Sequence, residues 1–370
     1  MEKKLGFGCM RLPLLDKNNA KSVDVEQVKE MVDLFIERGF TYFDTAYMYH
    51  EGTSENFMKE ALVDRYPRNA FTLADKMPSM YLKEKEDLER IFEEQRAKCG
   101  VEYFDYYLMH CLTKANYEIV QKLDAFAYCV EKKKEGKIKH LGFSFHDNAE
   151  LLEKIIQEHP EVEFVQLQLN YLDWEDETVQ ARKCYEVCQK YGKKVIVMEP
   201  VKGGTLAAVP KEAEELMKSY NEKDSIASWA IRFAASKEDV IMVLSGMSNL
   251  EQVKDNTEYM QNLKPMNQEE QEILEKVVDI IDGKTSIPCT GCDYCIESGC
   301  PKKIAIPTYF ALYNKLKRLG EESGAKEEYR KLEGVGRPED CIKCGKCERM
   351  CPQHLRIRSY LEMVAKEMNS

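Results

Sequence analysis

The chain has 370 residues, a net charge of −11, 44% hydrophobic residues and fourteen cysteines. That length holds one large domain and a small one, and the acidic balance excludes nucleic acid and anionic membrane as principal partners. No apolar run approaches the ~18 residues of a membrane-spanning helix, and the opening MEKKLGFGCMRLP is charged without a signal-type apolar stretch, so the protein is expected in the cytoplasm.

From the start to residue 262, short β-rich runs alternate with amphipathic stretches. LGFGCMRL, TYFD, FTLADK, FDYYLMH, IKHLGFS, FVQLQLN, KVIVMEP and VIMVLSG read as strands, separated by helical patterns such as VEQVKEMVDLFIERG and AYCVEKKKEG. About eight β/α units close a parallel barrel, so the fold class is α/β, a (β/α)8 TIM barrel followed by a small, mainly helical domain. In that architecture chemistry gathers at the carboxyl ends of strands. The polar residues ending these runs are Asp44, Lys76, His110, Ser144, Gln166 with Asn170, Glu199, and Gly246 with Ser248.

FDTAYMYH, FTLADK and YYLMH supply an Asp with a Tyr five positions later, then a Lys and a His at the ends of successive strands. In this order the chain resembles an aldo/keto reductase over residues 5 to 262. The resemblance implies a barrel, a nicotinamide nucleotide site and a catalytic tetrad of Asp44, Tyr49, Lys76 and His110 acting on small aldehydes or ketones. The chemistry is sensible on its own terms. Carbonyl reduction needs a hydride on carbon and a proton on oxygen, and Tyr49 is the expected general acid. An ammonium from Lys76 is expected to draw the phenol's pKa down from about 10, with Asp44 fixing Lys76 and His110 orienting the carbonyl or sharing the proton relay.

The same resemblance implies a cofactor set. Ser144 and Gln166 match positions that hold the nicotinamide carboxamide, and Met198 stands where an aromatic ring usually covers the nicotinamide. Pro200, Lys202, Gly203 and Gly204 resemble the loop across the pyrophosphate. Gly246, Met247 and Ser248, with Gln252 and Asn256 on the next helix, resemble the segment gripping adenosine. Phe145 replaces a common Asn, and Gln252 stands where NADPH-selective members place an Arg, so NADH and NADPH both remain open. His50 and His146 read first as solvated loop residues and second as residues facing the pocket.

Past the barrel, LKPMNQEEQEILEKVVDIIDGK reads as a linker helix ending at Gly283. The expected division is 1–265 barrel, 266–284 linker and 285–370 cluster domain. Cys289, Cys292, Cys295 and Cys300 precede Pro301, and Cys341, Cys344, Cys347 and Cys351 precede Pro352. Each run is close to CxxCxxCxxxCP, in which the fourth cysteine ligates the other cluster. The pattern predicts one [4Fe–4S] cluster on Cys289, Cys292, Cys295 and Cys351, and a second on Cys341, Cys344, Cys347 and Cys300. One extra residue in the first run, within IESG, is expected to form a local loop. Structural zinc or a disulfide framework explains two proline-terminated quartets less well. Between the runs, PTYFALYNKLKRLG and KEEYRKLEG are helical in pattern, as in helical dicluster ferredoxin modules. Barrel and tail together resemble an iron–sulfur subgroup of the aldo/keto reductases. The other cysteines, Cys9, Cys99, Cys111, Cys129, Cys184 and Cys188, read as buried apolar residues.

Lys302, Lys303, Lys315, Lys317, Arg318, Lys343 and Lys346 read as solvated faces or as a docking site for an acidic redox partner protein. Three functions follow. The first is an NAD(P)H-dependent carbonyl reductase carrying two clusters. The alternative is an electron-transfer module linking a barrel-bound nucleotide or flavin through the clusters to a partner; flavin binding needs no signature motif here. The third is a retired barrel serving as a scaffold. Substrate identity and oligomeric state are not encoded in these motifs.

Overall fold

A computed structural model of the chain describes residues 3–16, 19–282, 287–297 and 299–369. These form two compact units, one of residues 1–200 with 228–266, the other of residues 201–227 with 267–370. No described helix is long and apolar enough to cross a membrane.

The first unit is a closed barrel of eight parallel strands in sequence order: β1 (Leu5–Gly8), β2 (Tyr42–Asp44), β3 (Thr72–Pro78), β4 (Phe104–Leu112), β5 (Ile138–Phe145), β6 (Phe164–Gln168), β7 (Lys194–Met198) and β8 (Val240–Ser245). β1 closes the ring by pairing with β8 through Leu5 opposite Val243. Outside the ring, Phe35 of the helix Val25–Glu37 meets Phe7 and Phe43 with ring centroids 5.4 and 5.3 Å away. Asp24 starts that helix by accepting a hydrogen bond from Gln27 N.

Inside the ring, Tyr42, Ala74, Leu108, Phe164, Ile196 and Leu244 make an apolar plug. Side chains on a strand repeat their face every second residue. Two residues further along the same strands stand Asp44, Lys76, His110, Gln166, Met198 and Gly246. The expected site is therefore the next inward layer of the barrel. Gly142 occupies the plug level on β5, because a Cβ there would lie 2.5 Å from the Phe164 carbonyl oxygen and 2.7 Å from its ring. Two residues on is Ser144.

The second unit is mainly helical, with Lys211–Tyr220, Gln268–Asp282, Ile306–Leu319, Ala325–Lys331 and Ile357–Met368. Its core joins Tyr309, Phe310, Tyr313, Leu316, Tyr329, Leu361 and Val364. The Asn314 amide anchors the approach to the first cysteine run by accepting from Ile287 N and donating to Ile287 O, at 3.1 and 2.6 Å. These units cut the chain differently from the 1–265, 266–284 and 285–370 division, because residues 201–227 join the tail. Asn267 donates to Tyr220 OH, and Gly203, at φ 63°, lies so close to Thr290 that a Cβ would sit 2.2 Å from its carbonyl oxygen. The expected linker helix appears as Gln268–Asp282, and its expected terminus Gly283 lies outside the described residues.

Gly142→Ala is expected to force the plug apart and lower barrel stability by about 1–3 kcal/mol. Urea unfolding followed by far-UV circular dichroism checks this; an unchanged midpoint would refute the close packing at Gly142.

Candidate active site

Asp44 is the last residue of β2, and Tyr49 returns over the barrel mouth after a turn in which Tyr49 N bonds to the Ala46 carbonyl at 3.1 Å. Lys76 rises from β3 and is 1% exposed. Its Nζ donates to Asp44 Oδ1 at 2.5 Å, to the Thr45 carbonyl at 2.6 Å and to Tyr49 OH at 3.4 Å, which uses all three ammonium protons. His110, from β4, stacks edge-on against Tyr49 with ring centroids 6.1 Å apart.

The protonation states follow from burial and from this one cation. Burial works against the Lys76 ammonium, yet Asp44 and the hydrogen bonds around it outweigh burial and hold Lys76 above the ordinary lysine range. Burial pushes the Tyr49 phenol up to about 12, while Lys76 pulls it down and Asp44 pushes it up. The expected net lowering of Tyr49 is therefore corrected: the cation acts in the expected direction, but desolvation is larger. Tyr49 is a neutral phenol at physiological pH. Burial, then the charges of Lys76 and His146, holds His110 well below the usual histidine value, so it is a neutral imidazole.

Ser144 and Gln166 are nearly inaccessible, at 1% and 2% exposed. Ser144 Oγ accepts from Cys111 N at 2.7 Å and retains its own proton to donate, whereas Gln166 Oε1 is buried without a hydrogen-bond partner. A hydroxyl donor and a waiting carbonyl acceptor match a primary carboxamide. Met198 ends β7 half-buried beside them. Gly246 and Met247 leave β8, and a Cβ at Gly246 would meet Arg11 Cδ at 3.1 Å. Ser248 N donates to Gln252 Oε1, the Asn256 amide donates to Ser245 Oγ, and Tyr259 OH donates to Asn256 Oδ1. Gln252 and Asn256 thus shape this turn through contacts within the protein. Pro200 closes the range of the first unit, while Lys202, Gly203 and Gly204 lie in the 3-10 segment Lys202–Ala207 of the second.

Neither loop histidine is solvated as expected. His50 is 9% exposed, with Nδ1 2.9 Å from the Ala20 carbonyl and Nε2 accepting from Leu12 N at 3.3 Å, so it fastens the segment after β1. His146 is half-buried, and its charge acts on His110. Several supporting residues escaped the sequence reading. Gln95 donates to the Lys76 carbonyl at 3.0 Å and accepts from Tyr107 OH at 2.6 Å, gripping β3 from outside the barrel. Behind it Glu55 and Asp75 are both 0% exposed, with Lys98 3.3 Å from Glu55. Arg11 pairs with Glu199 at 3.7 Å. Glu55, in a loop motif of generic polarity, gave no signal of burial; Gln95 at helical spacing looks like any surface glutamine.

In the second unit the eight cysteines ring two cavities. One is lined by Cys289, Cys292, Cys295 and Cys351, the other by Cys300, Cys341, Cys344 and Cys347, the same two sets that the crossed pattern names. Burial raises the Cys347 thiol to about 11, and Cys341 and Cys300 add to it. Cys295 is likewise raised by burial, then by Cys289 and Cys351. Each shift joins cysteines from both runs. Among the described residues, no three His, Cys, Asp or Glu side chains converge on a single ion. All-sulfur quartets around a cavity suit an iron–sulfur cube. The extra residue of the first run falls between the helical turn Tyr294–Glu297 and Gly299, at φ 74°; Ser298 lies outside the described residues. Cys9, Cys99, Cys111, Cys129, Cys184 and Cys188 are all buried.

A phenol beside a buried cation thus stands at the mouth of a parallel barrel. The chain belongs to the aldo/keto reductase family, whose model matches residues 4–279, and a 4Fe-4S dicluster domain matches residues 288–355. It is 24% identical over 264 residues to an uncharacterized oxidoreductase of Schizosaccharomyces pombe, covering 68% of this chain and 80% of that one. The holo-form aldo-keto reductase of Bacillus halodurans shares the fold with a TM-score of 0.59 at 24% identity, over 74% of this chain and 91% of that chain. An aldo/keto reductase of Klebsiella pneumoniae in complex with NADP and acetate does so with a TM-score of 0.58 at 18% identity, over 75% and 96%.

Lys76→Met leaves Asp44 buried without its cation and is expected to cost about 3–5 kcal/mol in urea unfolding. The double variant Asp44→Leu/Lys76→Met should recover much of that loss. A single variant as stable as the wild type would refute a buried ion pair.

Proposed function

We propose that this protein is an NAD(P)H-dependent reductase of small aldehydes and ketones that also carries two [4Fe–4S] clusters. The observation that carries the reading is the Lys76 ammonium, shared between Asp44 and the Tyr49 phenol inside the barrel. A bound nicotinamide supplies the hydride. Tyr49 OH donates a hydrogen bond to the substrate oxygen and gives up its proton as charge develops there. Lys76 stabilises the phenolate left behind, and Asp44 keeps Lys76 charged and in place. Neutral His110 donates an N–H to the same oxygen and fixes its direction.

Ser144 and Gln166 hold the carboxamide of the nucleotide, and Met198 covers the ring through dispersion. Gly246, Met247 and Ser248 border the adenosine half, with Gln252 and Asn256 bracing them. Pro200, Lys202, Gly203 and Gly204 follow the pyrophosphate. The nucleotide is NADPH or NADH. In the tail, Cys289, Cys292, Cys295 and Cys351 hold one cluster and Cys300, Cys341, Cys344 and Cys347 the other. When bound, such clusters supply one-electron exchange.

Tyr49→Phe is expected to lower kcat by about 10²–10⁴-fold with NADPH or NADH while nucleotide affinity stays constant. Steady-state turnover of an aldehyde and ketone panel, beside nucleotide titration, measures both. Turnover that survives the change would overturn the acid role of Tyr49. The two cysteine-lined cavities favour a second reading, electron transfer from a nucleotide or flavin in the barrel. Bleaching of the cluster absorbance by NADH or NADPH alone, under anaerobic conditions and without a carbonyl, would select it.

A further inference from the structure

The two cysteine-lined cavities have opposite surroundings. The first includes one acidic side chain, Asp293, and no basic one, and two of its cysteines, Cys295 and Cys351, are buried. The second is lined by Lys302, Lys346 and Arg358 with no acid. Its Cys344 is exposed, and the neighbouring Ile342 is 56% exposed. Basic side chains and an exposed apolar one thus share the lining of this cavity.

Three of the seven basic residues first read as a positive tail are neutralised. Lys315 pairs with Glu328 at 2.6 Å, Lys317 with Glu367, and Lys343 with Glu362, while the Arg318 side chain lies outside the described residues. Arg358 at the cavity is held by Glu348 at 2.7 Å. Among the described residues, exposed Lys302, Lys303, Lys346 and Arg349 have no acidic side chain within ion-pair distance. Arg349 reaches to 3.5 Å from the Cβ position of Gly345, which lines the same cavity. Two of these four, Lys302 and Lys346, line the second cavity, and Lys303 and Arg349 lie next to that lining, while among the described residues exposed Arg330, Arg356 and Lys366 are unpaired outside it, in a chain whose net charge is −11.

We propose that this face, with Ile342 and Cys344 at its centre, is the docking surface for an acidic one-electron carrier protein. The inference rests on the cluster reading above. Transient redox interfaces are small and steered by complementary charge, with an apolar centre and a polar rim. Lys302, Lys303, Lys346 and Arg349 supply the rim and Ile342 the centre. Cys300, Cys341, Cys344 and Cys347 would hold the cluster that accepts one electron from the reduced carrier. The carrier is oxidised by one electron, the cluster is reduced by one, and no bond or proton changes hands.

The test uses a plant-type [2Fe–2S] ferredoxin, chosen for its acidic surface, with the full cluster-loaded protein under anaerobic conditions. Binding by titration calorimetry and electron transfer by stopped-flow absorbance are measured at low and high ionic strength. Lys303→Glu/Arg349→Glu, which leaves the residues lining the cavity untouched, is compared with Lys315→Glu as a control on a neutralised face. The double variant is expected to bind about tenfold more weakly or worse, with its iron content unchanged and the control close to wild type. High salt should weaken wild-type binding in the same direction. Binding that ignores both salt and the double reversal, or that the control disrupts equally, overturns the docking surface. An anaerobically reconstituted wild type that takes up no iron overturns the cluster reading itself.

Discussion

The active end of this barrel depends on one buried cation. Lys76 is 1% exposed, and an ammonium there is tolerable only because each of its protons meets an oxygen, from Asp44, the Thr45 carbonyl and Tyr49. Two of those acceptors belong to the backbone and side chains at the end of β2, so the cation ties β3 to β2 at the level where the apolar plug stops. It also acts on the charge state of its neighbours, in each case behind the larger effect of burial. His110 is neutral partly because a positive charge faces it, and Tyr49 would lie still higher without that charge. Burial keeps the phenol and the imidazole neutral, and the lysine partly offsets burial at the Asp44 carboxylate.

The barrel's period explains why so much of this layer could be read from sequence. A strand end is a local signal, and the inward face recurs every second residue, so the Asp, Lys, His, Ser and Gln closing successive runs had to point the same way. The cysteine quartets were equally legible, since their spacing is written in the chain. Burial was not. Lys76 is visible in the chain as a neighbour that lowers Tyr49, but the exclusion of water that raises it is not, and the Ala20 carbonyl and Leu12 N that hold His50 out of solvent are 30 and 38 residues away. Glu55, Asp75 and Gln95 stayed silent for the same reason: their partners come from other elements.

Charge in the tail teaches a similar lesson. A string of lysines and arginines reads as a basic surface, but Lys315, Lys317 and Lys343 each find a glutamate on another helix or turn. Exposed pairs of this kind contribute little to stability, yet they remove positive potential where they form. Part of what survives, on Lys302 and Lys346, lines one cysteine quartet, and that placement depends on the fold. The boundary of the tail is non-local too. Gly203 and Thr290 are 87 positions apart, and their close approach, together with the Asn267–Tyr220 bond, draws residues 201–227 into the second unit.

The chemistry of the two units differs in its electron count. A nicotinamide gives both electrons at once as hydride, whereas an iron–sulfur cube takes one, and a flavin ordinarily performs the conversion. On the proposed reading, the barrel needs no such conversion to reduce a carbonyl. Its proton comes from Tyr49, its electrostatic support from Lys76 and Asp44, and its orienting group from His110; none of these is a cysteine. The barrel cysteines are buried, and burial raises the thiols of Cys9 and Cys129 well out of the reactive range. Hydride chemistry in the barrel is therefore complete without sulfur. On the same proposed reading, the tail's cysteine quartets are a second redox capacity that exchanges single electrons, and a one-electron carrier is the chemical counterpart of that capacity.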